Sequence, residues 1–451
     1  MTVKELIARS KAAQAEFAFA TQEQADAAAK AICKVVYDNA EKLGPMAAEE
    51  SRMGSEQDKI AKCRNKSALI WESLKGKKSC DIINRIEERR MIEVAKPVGV
   101  VASIIPSTNP VVTPMSNGAF ALKCRNSVIF APHPRAVKCT KLLVEMFRAE
   151  LKKLGLPEDL VLGLEEVSND LTSELMSAAD MVVATGGMGM VKAAYSSGKP
   201  AIGVGQGNVQ CIIDEDADIA DAVGKIIIGR AFDNGLICLG EQTVFVPEDK
   251  EAEFVAEMKK QGGYLVEGEE NVDKLREGLF PGGGAFSRVV VGMFADQVSD
   301  EIGLGAPKGT RVLFAKAKAL GAGDVLCREK LCPVIAYMTY KTFKEGVAMM
   351  ETNLDHEGKG HSIAVHSNTP ENVEYAPIRC CVSRVIINLR PGTRGLRFPS
   401  NGFTPTTTLG CGTWGNNSFA GNLNYEQFIN ITRVGYPFDE SYLPDTDKAF
   451  E

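Results

Sequence analysis

The chain has 451 residues, of which 45% are apolar and 24% are charged, and its formal net charge is −6 at pH 7. This composition argues against a disordered chain, and the length predicts two globular domains rather than one core. The acidic balance argues against a nucleic-acid partner, because phosphate binding needs a clustered basic face.

The segment 1–80 predicts helices that pack outside a sheet. It is rich in Ala, Lys and Glu, and apolar residues such as Ala27, Ile32 and Val36 recur at helical spacing. The N-terminus mixes charges instead of showing a signal-peptide core, and no apolar run approaches the roughly 20 residues that cross a bilayer. We therefore expect a cytoplasmic protein with no membrane partner.

From Met91 onward, short β-rich runs alternate with helical stretches. The first series ends near Arg230 and consists of VGVVASIIP, NSVIFAP, DLVLGLE, DMVVATGG and VQCIIDE. The second series begins with FDNGLICLGEQTVFVPE and continues through VIAYM, SIAVHS and SRVIINL. Strands that alternate with helices imply right-handed crossovers and parallel sheets. We therefore predict two α/β domains that meet close to residue 235.

Two turns in the first series are candidates for binding a nucleotide. Thr185, Gly186 and Gly187 stand between a predicted strand and a predicted helix, where backbone N–H groups can bind a pyrophosphate. This turn lacks the full G-x-G-x-x-G pattern, and glycine turns of this kind also serve packing alone. Both interpretations stay open.

The second turn, Pro132-His133-Pro134-Arg135, would hold its backbone rigid against adenine or its ribose. It has no carboxylate for a ribose 2′-hydroxyl, whereas Arg135 can neutralise a 2′-phosphate, so NADP is at least as good a candidate as NAD. The alternative is a stiff loop with a solvated arginine.

The cysteines and histidines do not predict a metal site. The twelve cysteines include no CxxC or Cys/His pair at zinc-ligand spacing, and His356, His361 and His366 are five residues apart. His361 is a candidate proton acceptor, and the alternative is a hydrogen-bonded loop histidine. Cys238 follows a turn at the predicted domain junction, where substrates are usually held, and the alternative is a buried thiol.

Taken together, these motifs resemble the aldehyde dehydrogenase superfamily, and more closely its CoA-acylating branch. The resemblance runs over nearly the whole chain in the family's order. The matching segments are KPVGVVASIIPSTNP (96–110), APHPRA (131–136), ATGG (184–187), GVGQGN (203–208), NGLIC (234–238), REKLCPV (328–334) and GKGHSIAVHS (358–367).

The resemblance implies an aldehyde dehydrogenase-like α/β fold of two Rossmann-like domains with a cleft between them and a small β oligomerisation arm. Residues 1–235 would form the NAD(P)-binding domain, with oligomerisation strands near 81–97. Residues 236–424 would form the catalytic domain, and residues 425–451 a C-terminal oligomerisation segment. A homodimer or homotetramer is expected.

The resemblance also implies residue roles. Cys238 would be the nucleophile, and Asn109 with the Cys238 backbone N–H would bind the oxyanion. Glu329 would bind the nicotinamide ribose, and Thr185, Gly186 and Gly187 would approach the pyrophosphate.

One departure from the family's pattern indicates the subclass. Hydrolytic members carry a Glu in an E-x-G-G motif that activates water, whereas Val204-Gly205-Gln206-Gly207-Asn208 has no carboxylate. A thioester without a nearby general base resists water but stays open to a thiol, which makes coenzyme A the natural acceptor. The expected reaction is the reversible conversion of aldehyde, CoA and NAD(P)⁺ to acyl-CoA and NAD(P)H.

Within the branch, the segments SNGFTPTTTLGCGTWG and AYSSGKPAIGVGQGN look most like acylating succinate-semialdehyde dehydrogenases. Acetaldehyde and propionaldehyde enzymes share much of this pattern. An anionic aldehyde needs a cation, and Arg390, Arg394 and Arg397 precede the Thr/Gly-rich segment, although a solvated loop is the alternative. The same cations would hold a sulfonate, so sulfoacetaldehyde competes.

Overall fold

The computed structural model describes residues 1–390, 401–438 and 445–451. The N-terminal segment is helical, as predicted, and Thr2 and Thr21 cap its first two helices through their side chains. Two strands follow the helices. These elements are α1 (Val3–Phe17), α2 (Gln22–Asp38), α3 (Ala40–Ser51), α4 (Glu56–Leu74), β1 (Asp81–Ile86) and β2 (Met91–Pro97).

The next β-rich runs form a five-stranded parallel sheet in the order β5-β4-β3-β6-β7. Its strands are β3 (Val100–Ile104), β4 (Ser127–Ala131), β5 (Val161–Gly163), β6 (Met181–Thr185) and β7 (Ala201–Val204). Its helices are α5 (Val112–Lys123), α6 (Val137–Lys153), α7 (Asn169–Ala178) and α8 (Met188–Tyr195). Successive residues of β3 point to opposite faces of the sheet. Val101 packs in one hydrophobic core with α2 and α5, and Val100 packs in another core with α1 and α7.

A second sheet has seven parallel strands in the order β10-β11-β12-β9-β8-β13-β14. Its strands are β8 (Val209–Ile213), β9 (Glu241–Pro247), β10 (Gly263–Leu265), β11 (Val312–Lys316), β12 (Val334–Tyr340), β13 (Ile363–His366) and β14 (Val385–Ile387). Its helices are α9 (Ile219–Ala231), α10 (Glu251–Lys260), α11 (Glu269–Leu279), α12 (Ala295–Ile302), α13 (Phe343–His356) and α14 (Pro370–Arg379). The predicted α/β class with two parallel sheets is confirmed.

The strand pairing differs from the predicted junction at residue 235. The run VQCIIDE forms β8, which we grouped with the first series, but β8 pairs with β9 and β13 of the second sheet. All five β8 residues are buried, as an interior strand with neighbours on both sides requires. The chain therefore changes sheets between Val204 and Val209, and this short linker runs between the two sheets.

The remaining strands lie outside both parallel sheets. β17 (Ile429–Gly435) and β1 both pair antiparallel with β2, which forms a three-stranded arm. β15 (Leu409–Cys411) and β16 (Ala420–Asn422) form a small antiparallel pair. Among the described residues, none of the helices combines the length and apolarity of a bilayer span.

Candidate active site

The five-stranded sheet brings four loops to one edge. Because β3, β4, β6 and β7 are parallel, the segments after them leave the sheet at the same side. These segments contain Asn109, Pro132, Gly186 and the linker 205–208. The chain reverses direction across the sheet between β3 and β6, and such a switch point is where open α/β sheets bind ligands.

Cys238 is positioned by an unusual turn after α9. Asp233, Asn234 and Gly235 all have positive φ, at 49°, 52° and 76°. A Cβ at Gly235 would lie 2.7 Å from the Cys332 carbonyl carbon, so both the backbone angle and the close approach require glycine. The turn places Cys238 in a cavity of about 60 Å³ that Asn109 also lines. The family resemblance implies the same pair, with Cys238 as the nucleophile and Asn109 as an oxyanion ligand.

The linker between the sheets packs directly against Cys238. A Cβ at Gly207 would collide with the Cys238 carbonyl oxygen and would lie 3.0 Å from Nε2 of His361, so only glycine fits. The Gly207 N–H donates to Oε1 of Glu329 at 3.1 Å. The structure therefore gathers Cys238, His361 and Glu329 around one backbone position.

Burial determines the protonation states of Cys238, Glu329 and His361. Burial raises the pKa of the Cys238 thiol to about 12 and that of Glu329 to about 8. Burial, with the nearby Arg384 charge, lowers the pKa of His361 well below its usual value. Both ring nitrogens of His361 lack a hydrogen-bond partner among the described residues, so it is not the hydrogen-bonded loop histidine of the alternative interpretation. At neutral pH the site holds a thiol, a neutral imidazole and a largely protonated carboxyl.

Asn109 is oriented by a lysine that sequence reasoning missed. Lys62 Nζ donates to Oδ1 of Asn109 at 3.0 Å. The amide Nδ2 is left with one long bond to Thr108 Oγ1, at 3.4 Å, and it has two hydrogens. Lys62 therefore determines which end of the amide can donate to an oxyanion.

Lys62 is in turn held by a buried charge cluster. Oδ2 of Asp233 accepts from Lys59 Nζ at 3.1 Å and from Lys62 Nζ at 2.5 Å. Asp233 is fully buried, and both lysines are nearly so. The spacing of Lys59, Lys62 and Lys66 on one face of α4 was the sequence signal that could have found this cluster.

The predicted pyrophosphate turn has space in front of it. β6 ends at Thr185 and α8 begins at Met188, so backbone N–H groups point out of the helix N-terminus. A Cβ at Gly187 would meet no atom within 4 Å, and the Thr185 hydroxyl lies 3.2 Å from that of Thr408. The Thr/Gly-rich segment thus borders this turn, and an open cradle of backbone donors fits a dinucleotide.

The predicted adenosine-facing turn, residues 132–135, lies near a second arginine, Arg288, besides its own Arg135. Pro132 is buried, whereas His133 and Arg135 are exposed, and His133 Nδ1 accepts from the Arg135 N–H at 3.1 Å. Burial and the charges of Arg135 and Arg288 lower the pKa of His133. Arg288, which precedes α12, was not among our candidates.

Of the three predicted anion-binding arginines, Arg390 is the one among the described residues, and it does not line the Cys238 cavity. Arg394 and Arg397 lie outside the described residues, and Arg390 lines a different cavity of about 950 Å³ with Phe232 and Lys308. Among the described residues, the cations that line the Cys238 cavity are Lys62 and Lys66. In the described part of the chain, no three metal-binding side chains cluster together.

Comparison with known proteins agrees with this geometry. The aldehyde dehydrogenase family profile matches residues 1–274. The chain is 46% identical to a succinate-semialdehyde dehydrogenase (acetylating) of Clostridium kluyveri, over 100% of this chain and 99% of that protein. It is 39% identical to a sulfoacetaldehyde dehydrogenase of Acholeplasma sp, over 96% of this chain and 90% of that protein.

Solved structures are similar over the same range. An acetylating aldehyde dehydrogenase from Geobacillus thermoglucosidasius matches with a TM-score of 0.94 and 35% identity, covering 98% of this chain and 97% of that one. A propionaldehyde dehydrogenase from Rhodopseudomonas palustris, with bound CoA and an acylated cysteine, matches with a TM-score of 0.87 and 25% identity, covering 96% and 97%.

Proposed function

Since the chain belongs to the aldehyde dehydrogenase family and is an acylating, NAD(P)-dependent member, we propose that its substrate is a small anionic aldehyde, first of all succinate semialdehyde. The product in the oxidative direction is then succinyl-CoA. The observation that carries this proposal is the Cys238 cavity, where a nucleophile, an amide donor and two lysines converge.

In the proposed mechanism, Cys238 adds to the aldehyde carbonyl and then holds the acyl group as a thioester. The Asn109 amide and the Cys238 backbone N–H donate to the developing oxyanion, and Lys62 keeps that amide in place. Neutral His361 accepts a proton beside the thiol. Bound NAD(P)⁺ supplies the hydride acceptor.

The cofactor residues remain those of the sequence prediction. Thr185, Gly186 and Gly187 would hold the pyrophosphate, with Glu329 at the nicotinamide ribose. The turn of Pro132, His133 and Arg135 would face the adenosine, where Arg135 supports NADP alongside NAD.

The surroundings of Cys238 favour CoA over water as the acyl acceptor. The segment 204–208 has no carboxylate, and Val204, the last residue of β7, is buried. The carboxyl next to the linker, Glu329, accepts from Gly207, and its raised pKa leaves it largely protonated at pH 7. A protonated, hydrogen-bonded carboxyl is a poor general base for water.

We expect strict CoA dependence. Purified protein mixed with succinate semialdehyde and NAD⁺ or NADP⁺ should release at most one equivalent of reduced cofactor without CoA, and should turn over continuously with it. Sustained turnover without CoA would mean that water reaches the thioester, contrary to the proposal. Absorbance of the reduced cofactor measures both.

Sulfoacetaldehyde is the second candidate substrate. Its sulfonate would be held by the same lysines as a carboxylate, and the Acholeplasma relative carries that activity in its name. Acetaldehyde and propionaldehyde lack the anion and should be poorer substrates. The same assay ranks these aldehydes by kcat/KM.

We expect Asn109→Ala to lower kcat by about 10²- to 10³-fold, the usual cost of losing one oxyanion donor. Lys62→Met should lower kcat by about 10- to 100-fold through misplacement of the Asn109 amide. If Lys62 acts through Asn109, adding Lys62→Met to Asn109→Ala should cost little more. Fully additive losses in a double-mutant cycle would contradict this role, and Arg64→Met, on the exposed face of α4, is the control.

We also propose that the arm of β1, β2 and β17 pairs subunits into a homodimer or a dimer of dimers. β17 is an exposed edge strand, and such edges favour pairing with another chain. The cofactor-binding and catalytic domains would then correspond to the two parallel sheets.

A further inference from the structure

Lys66 extends from α4 into the same cavity as Cys238. Its Nζ donates to the backbone carbonyl of Thr406 at 3.0 Å, and both residues line the cavity with Asn109 and Leu409. Lys66 is one helical turn beyond Lys62 on the same face of α4, so the two side chains are neighbours. Lys62 serves Asn109, whereas Lys66 is directed elsewhere in the cavity.

Lys66 differs from Lys59 and Lys62, the other two lysines on this face of α4, in its ion pairing. Lys59 and Lys62 share the Asp233 carboxylate, but no described residue forms an ion pair with Lys66. Burial, aided by the charge of Lys62, lowers the pKa of Lys66 to about 8, so most of it is still charged at pH 7. A partly desolvated ammonium whose partner in the described part of the chain is a neutral carbonyl gains when an anion enters the cavity.

We infer that Lys66 binds the carboxylate or sulfonate of the substrate aldehyde and so determines the enzyme's selectivity for anionic aldehydes. This inference rests on the proposed function. The aldehyde carbon would meet Cys238 and its oxygen would meet Asn109. The far end of the substrate would reach Lys66, which is one helical turn beyond Lys62, the lysine that holds Asn109. A small aldehyde with a terminal anion spans such an arrangement, and a neutral aldehyde leaves the ammonium unpaired.

The test compares Lys66→Met and Lys66→Arg with the control Arg64→Met. Lys66→Met should lower kcat/KM for succinate semialdehyde and sulfoacetaldehyde by about 10- to 100-fold, mainly through KM, the usual effect of losing a charged hydrogen bond. For acetaldehyde, kcat/KM should change by less than about threefold. Lys66→Arg should restore most of the activity on the anionic aldehydes, because it keeps the positive charge. The ratio of the kcat/KM values for succinate semialdehyde and sulfoacetaldehyde shows whether a carboxylate or a sulfonate fits better.

A binding measurement gives an independent readout. Succinate, a dead-end mimic of the anionic substrate, should slow alkylation of Cys238 by iodoacetamide in the wild type but not in Lys66→Met. Equal losses on neutral and anionic aldehydes would overturn the inference, because Lys66 would then act on the thiol alone. So would unchanged kinetics or equal protection by succinate in Lys66→Met.

The experiments distinguish a failure of the proposed function from a failure of the role inferred for Lys66. If the wild type turns over no aldehyde with CoA, the proposed function fails, and the succinate protection still decides whether Lys66 binds a carboxylate. If the wild type turns over acetaldehyde and succinate semialdehyde with CoA and Lys66→Met does not separate them, only the role of Lys66 fails.

Discussion

Cys238→Ala should lower CoA-dependent kcat by more than about 10⁴-fold, since removal of a covalent nucleophile leaves only binding and polarisation of the aldehyde. Cys238 is the cysteine that lines the cavity with Asn109, and ten of the twelve cysteines are buried. The other partly exposed cysteine is Cys381, which follows α14. Steady-state kinetics with succinate semialdehyde, CoA and cofactor measure the loss.

Cys381→Ala is the matched control for this prediction. It removes a partly exposed thiol that does not line the Cys238 cavity, so kcat should stay within about twofold of the wild type. Mass spectrometry of Cys381→Ala after mixing with aldehyde and oxidised cofactor, without CoA, should find the acyl group only on Cys238. A Cys238→Ala protein that retains a tenth of the wild-type kcat would contradict the assignment of the nucleophile.

Asp233→Asn should destabilise the fold by about 3–5 kcal/mol, the cost of removing one partner from a buried ion pair. The substitution keeps the size of the side chain, and asparagine tolerates the positive φ at this position. The change leaves Lys59 and Lys62 as buried ammonium groups without their shared carboxylate. Urea unfolding of the wild type and the variant, followed by circular dichroism, gives the free energies.

The pH dependence of this variant has a definite sign. Burial lowers the pKa of Lys59, and without Asp233 the attraction that opposes this shift is lost. A lysine whose pKa is lower in the folded than in the unfolded state destabilises the fold at pH values where it is charged in both states. This cost in folding free energy decreases as pH rises from the folded pKa toward the unfolded pKa. The stability gap between Asp233→Asn and the wild type should therefore be larger at pH 7 than at pH 9.

Asp38→Asn is the control for the ion-pair argument. Asp38 pairs with Lys34 on the exposed surface of α2, and exposed pairs contribute at most about 1 kcal/mol. If Asp233→Asn lowers the free energy of unfolding by no more than Asp38→Asn does, the buried ion pairs of Asp233 do not stabilise the fold.

The fold could be largely predicted from the sequence because its signals are local. Helical spacing in residues 1–80 and the alternation of β-rich and helical runs gave the class correctly. The sheet that β8 joins could not be predicted, because the apolar run of β8 is compatible with either sheet. Only its hydrogen bonds to β9 and β13 assign it.

The candidate site could be predicted only in part. Ordered motifs pointed to Cys238, Asn109, His361 and Glu329. Asn109 lines the same cavity as Cys238, while His361 and Glu329 meet at Gly207, which packs against Cys238. The lysines of α4 share one face of the helix but match no motif. The roles of Lys59 and Lys62 depend on Asp233, which is 171 residues from Lys62. A charge on a helix is ordinarily solvated, so its burial cannot be inferred from its own neighbours.

Residue types and their spacing along the chain were enough to predict the alternating α/β architecture and the cysteine after the turn, and to show that the segment 204–208 has no carboxylate. Other features became visible only in the folded chain: the sheet that β8 joins, the packing of Gly207 against Cys238, and the entry of Lys62 and Lys66 into the cavity. The reason is physical: pairing, desolvation and charge neutralisation depend on distances in space, and those distances exist only once distant segments have packed together.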